Sequence, residues 1–459
     1  MIRLRALAPV VLATAAAVTA STATAAPSHS AAAKPIPVKT GYPAVTDTAW
    51  VGQEIASART ADGVLHVVWI QGSNGSTIHE DRFSPAGKLL GTSTVATGWD
   101  GNGGLALVVQ ADGSLRLLVA GGYQPNLPPS QSGVNSFTAP ATGQTWTRDT
   151  SAIWGGTLGD DSGQLGAVEV NGTLVSSYAA AGGVRVHVGL GPDDPNHPDP
   201  VYGTDLGGAT LSEDAKTQAV VLSAVTIAGN GGTFVQQVYP TPGAQQVIPS
   251  GLSARSSGGT ARTAGPGVYV AYATSSSNAV RLARYGGGSI AITAGPHVMA
   301  TACAGPDGRV WVVWGNDNDG LFATRTNKAV TRIEPVQHFL PPKDNLGVGE
   351  TWCAGDLGPV DVFPILAIGA ARGVYHLHTV PRLTVTLSVG PKGKNGKRTV
   401  TVHVTDAGDP VKGATVGSGP QSKKTNGSGV AKLTLGPGKH TISALAPTYA
   451  KASVSVTLG

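Results

Sequence analysis

A short phrase recurs along the chain: a Gly-centred turn runs into an apolar strand that often ends in an aromatic ring. It is read in Asp62-Gly63-Val-Leu-His-Val-Val-Trp69, Asp112-Gly113-Ser-Leu-Arg-Leu-Leu-Val119, Asn171-Gly172-Thr-Leu-Val-Ser-Ser-Tyr178, Pro266-Gly267-Val-Tyr-Val-Ala-Tyr272 and Asp307-Gly308-Arg-Val-Trp-Val-Val-Trp314. Turn-plus-strand units returning at roughly 40 to 60 residues point to one closed, all-β repeat architecture, a β-propeller. Such a repeat constrains the fold far more tightly than the function.

Composition agrees. With 64 Gly, 31 Pro and only 13% charged residues, the chain is suited to many short strands joined by tight turns. Residues 370–378 have helical spacing, but the stretch is too short and too rich in Gly and β-branched residues to compete with a strand. A sixth unit, Gln218-Ala-Val-Val-Leu-Ser-Ala-Val225, lacks the Gly turn, and a seventh is Val360-Asp-Val-Phe-Pro-Ile-Leu-Ala-Ile-Gly369. About 330 residues over seven units is roughly 47 each, a normal length for a four-stranded blade. Seven blades are expected; six, with one weak unit absorbed as an insertion, is the alternative.

The two cysteines fall in register with this repeat. Thr301-Ala-Cys303-Ala-Gly and Thr351-Trp-Cys353-Ala-Gly share one pattern 50 residues apart, each just before the turn into the second strand of its unit. Equivalent positions in consecutive units lie side by side, so a Cys303–Cys353 disulfide is expected in an exported chain. The aromatic residues that end the repeated strand, Trp69, Tyr178, Tyr272 and Trp314, are expected to pack between units rather than to line a ligand site.

Export is read from the first residues. Arg3 and Arg5 form a basic n-region, residues 6–20 are apolar and Ala-rich, and Ala23 and Ala25 supply an A-x-A cleavage pattern. The expected organisation is a signal peptide at 1–25, a disordered leader at 26–43, the propeller at 44–380 and a separate β-sandwich at 381–459. No other segment is apolar and long enough to span a bilayer, so a soluble, extracellular and monomeric product is expected.

Charge divides the chain. Of the net +5, the segment from Pro381 onward carries +9 and residues 1–39 carry +4, which leaves 40–380 at −8. The tail holds eleven Lys or Arg, nine of them Lys, against only Asp406 and Asp409. Lys is a hydrated point charge suited to loose attraction to a polyanion. Outside a cell the available partner is an anionic wall polymer or polysaccharide, and nucleic acid is not expected.

The phrase D-G-x-L/V-x-V-V-W, followed by a hairpin and a strand such as Gly320-Leu-Phe-Ala-Thr-Arg325, resembles the blades of secreted sialidase-like, BNR-type propellers over residues 50 to 380. The nearest match to the Asp-box of that superfamily is Ala139-Pro-Ala141-Thr-Gly143-Gln-Thr145-Trp146, which keeps Gly, Thr and Trp and has Ala at the Ser and Asp positions. Sialidase chemistry needs three arginines and a Tyr/Glu nucleophile pair. Arg59 and Arg262 fall at similar places in their units, but no third arginine or Tyr/Glu pair follows, so that catalysis is not carried over. The tail resembles bacterial Ig-like, carboxypeptidase-regulatory-like modules in Val411-Lys-Gly-Ala-Thr-Val416, Thr425-Asn-Gly-Ser-Gly-Val-Ala and Leu435-Gly-Pro-Gly-Lys-His-Thr. That resemblance implies a spacer or adhesion unit.

Propeller ligands commonly meet the face formed by the loops after each second strand and between units. On this phasing the face collects Trp99, Asp100, Tyr123, Trp154, Asp160 and Asp161, with Asp317 and Asp319. Aromatic rings beside carboxylates suit a glycan, since a ring covers the apolar sugar face while acids accept its hydroxyl hydrogens. Asn316-Asp-Asn-Asp-Gly320 resembles the start of a calcium loop without its distal Glu, and Asp193, Asp194, His197 and Asp199 have metal-ligand types among prolines. Both are expected to be structural loops, and no cofactor or metal is expected. The sequence favours a secreted or wall-associated binding protein without catalysis. The alternative is a glycoside hydrolase or lyase using Asp100 with Asp160 or Asp161.

Overall fold

The computed structural model describes residues 37–38, 51–71, 77–100, 104–123, 133–154, 165–180, 182–192, 196, 198–203, 206–226, 232–249, 259–261, 265–274, 279–294, 299–316, 320–340, 347–368 and 371–459. Among them, seven antiparallel sheets follow one another between Val51 and Thr379, each completed before the next begins. The first is built from Val51–Arg59, Leu65–Gln71, Thr77–Phe83 and Leu89–Thr97. In the second, Trp99–Asp100 and Leu105–Val109 share the inner position beside Leu115–Tyr123, followed by Gly133–Ala139 and Thr147–Trp154.

The remaining sheets open with Leu165–Val170, Leu206–Glu213, Gly259–Ala261, Met299–Ala304 and Gly347–Ala354. Each of these opening strands contacts the opening strand of the next sheet, and Gly347–Ala354 returns to Val51–Arg59. The succession therefore closes on itself as an all-β propeller, which leaves no exposed edge at the centre.

The repeated turns sit between the first and second strands, as the phrase predicts. Gly63 and Gly308 adopt φ of +85° and +78°, a region that an L side chain enters only under strain. The fourth sheet, which lacks the Gly, makes the same turn with Gln218 at φ +58°. There the Asp214 carboxylate accepts from the backbone N–H of Lys216 and Thr217 and holds the loop that glycine holds elsewhere.

The strand-ending aromatics pack between sheets. Trp69 lies with Phe363, Ile365 and Val374 of the seventh sheet, and Trp314 with Tyr269 and Ala271 of the fifth. Tyr178 meets Leu118 and Ala120 of the second, and Tyr272 meets Val221 and Val235 of the fourth. Cys303 and Cys353 form the expected disulfide, joining the opening strands of the sixth and seventh sheets with Cα atoms 5.7 Å apart. Inside the stretch read as a disordered leader, Pro37–Val38 pair in parallel with His338 and Phe339 on the outside of the sixth sheet.

Beyond Leu383, two four-stranded sheets form a β-sandwich. One contains Thr384–Lys392, Arg398–Asp406, Asp409–Pro410 and Val430–Leu435; the other contains Thr415–Ser418, Gln421–Lys424, Gly438–Leu445 and Ala452–Leu458. Period-two alternation decides which side chains enter the core. Val400, Val402 and Val404 turn inward against Val416, Ile442 and Ala444, whereas Thr399 and His403 face outward. Among the described residues no helix is long and apolar enough to cross a membrane.

Candidate functional site

One end of the second sheet gathers four of the residues singled out from sequence. Trp99 stands directly opposite Tyr123 in the ladder, and Asp100 stands opposite Gly122. The next pair of strands brings Trp154 opposite Val134 at the same end. The cause is topological: in an antiparallel sheet, the start of the first strand, the end of the second, the start of the third and the end of the fourth share one edge.

Trp154 is corrected from ligand ring to packing residue. It is 2% exposed, stacks on His187 with ring centroids 4.8 Å apart, and lies among Ala106, Leu118, Leu165 and Tyr178. Its side chain faces the third sheet, and residue spacing alone does not reveal which face of a strand meets a neighbour. Asp160, Asp161, Asp317, Asp319, Asp193, Asp194, His197 and Arg262 lie outside the described residues. Asp199 is engaged by the Tyr178 hydroxyl at 2.9 Å and by His187 Nδ1 at 3.1 Å. Among the described residues no group of three or more His, Cys, Asp or Glu is placed to hold a metal ion.

A constellation that sequence reasoning missed lies between the first and second sheets. Thr60 Oγ1 is 3.3 Å from His66 Nε2, and His66 Nδ1 is 2.7 Å from Glu80 Oε1. By distance this is a hydroxyl–imidazole–carboxylate relay of the kind that activates a nucleophile. Here it is structural. His66 and Glu80 are wholly buried, and the Thr60 hydroxyl is already within 2.7 Å of Asp62 Oδ1. The other Glu80 oxygen accepts from Ser93 Oγ, the Gln144 backbone N–H and Trp146 Nε1. Burial would raise the Glu80 pKa, but the hydrogen bonds from His66, Gln144, Ser93 and Trp146 outweigh it and lower it. The turn resembling a degraded Asp-box is therefore clamped to the preceding sheet through Gln144 and Trp146.

A second buried cluster closes the ring. Arg59 of the first sheet reaches Asp356 at 2.9 Å and Asp361 at 3.2 Å, both in the seventh. Asp361 also accepts from His376 at 2.9 Å and His378 at 2.8 Å. Burial acts to raise the Asp361 pKa, yet the two imidazoles overcome it and bring it down to about 2. Arg59 is thus committed to closure and not to gripping a ligand carboxylate.

The third cluster joins the sandwich to the sixth sheet. Asp406, the end of Arg398–Asp406, accepts from Arg309 Nε at 2.9 Å, Arg325 Nη2 at 2.6 Å and the Tyr449 hydroxyl at 2.8 Å. Asp409 pairs with Arg309 at 2.8 Å and accepts from the backbone N–H of Lys328. The Arg325 guanidinium lies 5.5 Å from the centroids of both Trp311 and Tyr449. Burial and the Asp406 charge push the Tyr449 hydroxyl up to about 12, so it remains a donor. Glu334, fully buried beside this cluster, accepts from the Arg382 N–H at 2.9 Å, and burial lifts its carboxyl to about 8 against the opposing pull of Arg325. Both acidic residues of the tail are thus consumed at the joint.

Fold and site together define a β-propeller that carries a β-sandwich on one of its sheets and a Trp–Tyr pair at one end of another. No family model matches the sequence, and no curated protein matches it. Its fold is similar to solved structures at low identity. AofleA from Arthrobotrys oligospora is 16% identical, with 63% of this chain and 87% of that one covered, at a TM-score of 0.43. A catalytically inactive virginiamycin B lyase from Staphylococcus aureus, solved with quinupristin, is 12% identical over 74% and 98%, at 0.44. The Aleuria aurantia lectin is 14% identical over 74% and 98%, at 0.38. Likenesses of this degree leave the activity of the chain to its own residues.

Proposed function

We propose that the chain is a secreted or wall-associated binding protein, with a seven-bladed, sialidase-like propeller at 44–380 and a basic Ig-like sandwich at 381–459. On this reading residues 1–25 are an export signal. Trp99, Asp100 and Tyr123 bind a glycan, and the sandwich holds to an anionic surface. The observation that carries the reading is the placement of Trp99 opposite Tyr123 with Asp100 beside them. Tryptophan and tyrosine at paired ladder positions are the residue types that cover the apolar face of a sugar, and an aspartate is the type that accepts from its hydroxyls. The two buried carboxylate clusters within the ring are tied up by His66, His376, His378 and Arg59, which leaves them to architecture.

The test is binding of the full chain to a panel of extracellular polysaccharides, compared with Trp99→Ala and Tyr123→Ala. Each substitution is expected to weaken binding by about tenfold or more, as loss of an aromatic anchor does. Unchanged binding in both variants would remove the site from the reading. Cleavage of a labelled glycan that stops in Asp160→Asn would replace binding with hydrolysis.

A further inference from the structure

The carboxylates of the sandwich lie at one end, and a cluster of its lysines lies at the other. Its carboxylates, Asp406 and Asp409, are spent on Arg309 and Arg325 at the joint. The strand Arg398–Asp406 runs from that joint to the opposite end of the sandwich, eight steps or about 27 Å away. At that far end the turn between Thr384–Lys392 and Arg398–Asp406 reads Lys392-Gly-Lys394-Asn-Gly-Lys397-Arg398. Leu435 pairs with Arg398, and Gly438 pairs with Leu458, so the start of Gly438–Leu445, with Lys439, arrives at the same end. Lys392, Lys394, Lys397 and Lys439 are exposed.

A local cost accompanies this arrangement. Lys392 and Arg398 are cross-strand partners, and like charges directly opposite destabilise a hairpin. The sandwich has no further acidic side chain to relieve them, since both are committed at the joint. Arg398 donates to the Gly390 carbonyl and to an oxygen of Gly459, contacts that hold its guanidinium while the four lysines around it face solvent.

We propose that this lysine-bearing tip is the contact surface for a linear polyanion, one whose charges repeat along a flexible chain. The inference rests on the basic-sandwich reading given above and locates it. Lysines on a tight turn offer several mobile point charges to successive anionic groups without fixing their geometry, which suits a polymer better than a single planar ligand. Repeating phosphates and repeating carboxylates share this chemistry, and the test separates them.

The experiment uses the full chain with inorganic polyphosphate in one arm and polygalacturonate in the other. A tip variant, Lys392→Gln with Lys394→Gln and Lys397→Gln, is set against a control with the same charge change, Lys412→Gln with Lys423→Gln and Lys424→Gln. The wild type is expected to bind at least one polymer, and the tip variant to bind it about tenfold more weakly, while the control changes about threefold or less. The arm that binds identifies the source of the negative charge. The tip variant should melt no lower than the wild type, because it removes a like-charge pair. Equal loss in both variants overturns the tip and leaves the basic sandwich standing. Binding of neither polymer by the wild type, even at about 20 mM salt where screening is weak, overturns the reading on which the tip rests.

Discussion

Arg325 donates to Asp406 at 2.6 Å across 81 residues of chain, and both side chains are buried, at 1% and 0% exposure. One carboxylate therefore binds the sandwich to the propeller through two guanidiniums and a phenol. Removing a single partner from a buried ionic network leaves its charges uncompensated. Asp406→Ala is expected to lower stability by about 3 to 5 kcal/mol, because Arg309 keeps only Asp409 and Arg325 loses its carboxylate. Chemical denaturation of the full chain measures this. A loss smaller than that of an exposed control such as Asp62→Ala would mean the joint carries no stability.

The joint also governs how the sandwich can be studied. A chain cut at residue 380 would strand Arg309 and Arg325 without their carboxylates. Such a truncation is expected to melt below the full chain, with the deficit visible by differential scanning calorimetry. Polymer binding is therefore better dissected by surface substitutions than by deletion.

Asp361 makes ring closure sensitive to acid. Its pKa is lowered from 3.8 to about 2, so its contribution is complete above pH 3.8 and disappears as pH falls from there through about 2. The shift corresponds to about 2 kcal/mol. Asp361→Asn should be less stable at neutral pH and should lose less on acidification over that window. Parallel acid-unfolding curves for the two proteins would contradict the assignment.

Much of this fold is legible in the sequence because it is periodic. Gly63 and Gly308 mark turns whose φ few other residues tolerate, and the cysteines repeat in the same frame. Gln218 shows where the signal thins: an Asp214 carboxylate holding two backbone amides supports a left-handed residue without glycine. The relays were illegible for another reason. Thr60, His66 and Glu80 lie on three different segments, and only antiparallel pairing brings them together. Glu80 and Asp81 were the available hint, since neighbouring acids on one strand face opposite sides and both are buried here. Asp406 and Asp409 were visible as the two exceptions in a basic tail, but their partners lie in the sixth sheet.

Glu334 gives the joint the opposite pH dependence. Its carboxyl is raised from 4.5 to about 8, so between these values the folded state holds a proton that the unfolded chain has released. Stability from this group is therefore greatest below pH 4.5 and declines as pH rises toward 8. Glu334→Gln should flatten that decline and raise the melting temperature at pH 8 more than at pH 5. An equal change at the two pH values would place the proton elsewhere.

The disulfide bears on the same closure from the other side. Cys303 and Cys353 link the sixth and seventh sheets, while Arg59 and Asp361 link the seventh to the first, so two consecutive boundaries of the ring carry a specific tie. A crosslink spanning 50 residues restricts the unfolded chain by roughly 4 kcal/mol in the chain-entropy account. Cys303→Ser combined with Cys353→Ser should lower the unfolding midpoint by a corresponding amount. Dithiothreitol should bring the wild type down to the same value and leave the variant unmoved. If reduction shifts both proteins alike, the effect is not that of this bond; if it shifts neither, the buried sheet contacts at the boundary suffice without it. Combining the cysteine pair with Asp361→Asn tests whether the two ties act together. Because both ties are anchored in the seventh sheet, one on each side of it, the double defect is expected to exceed the sum of its parts, as sites coupled through shared structure do.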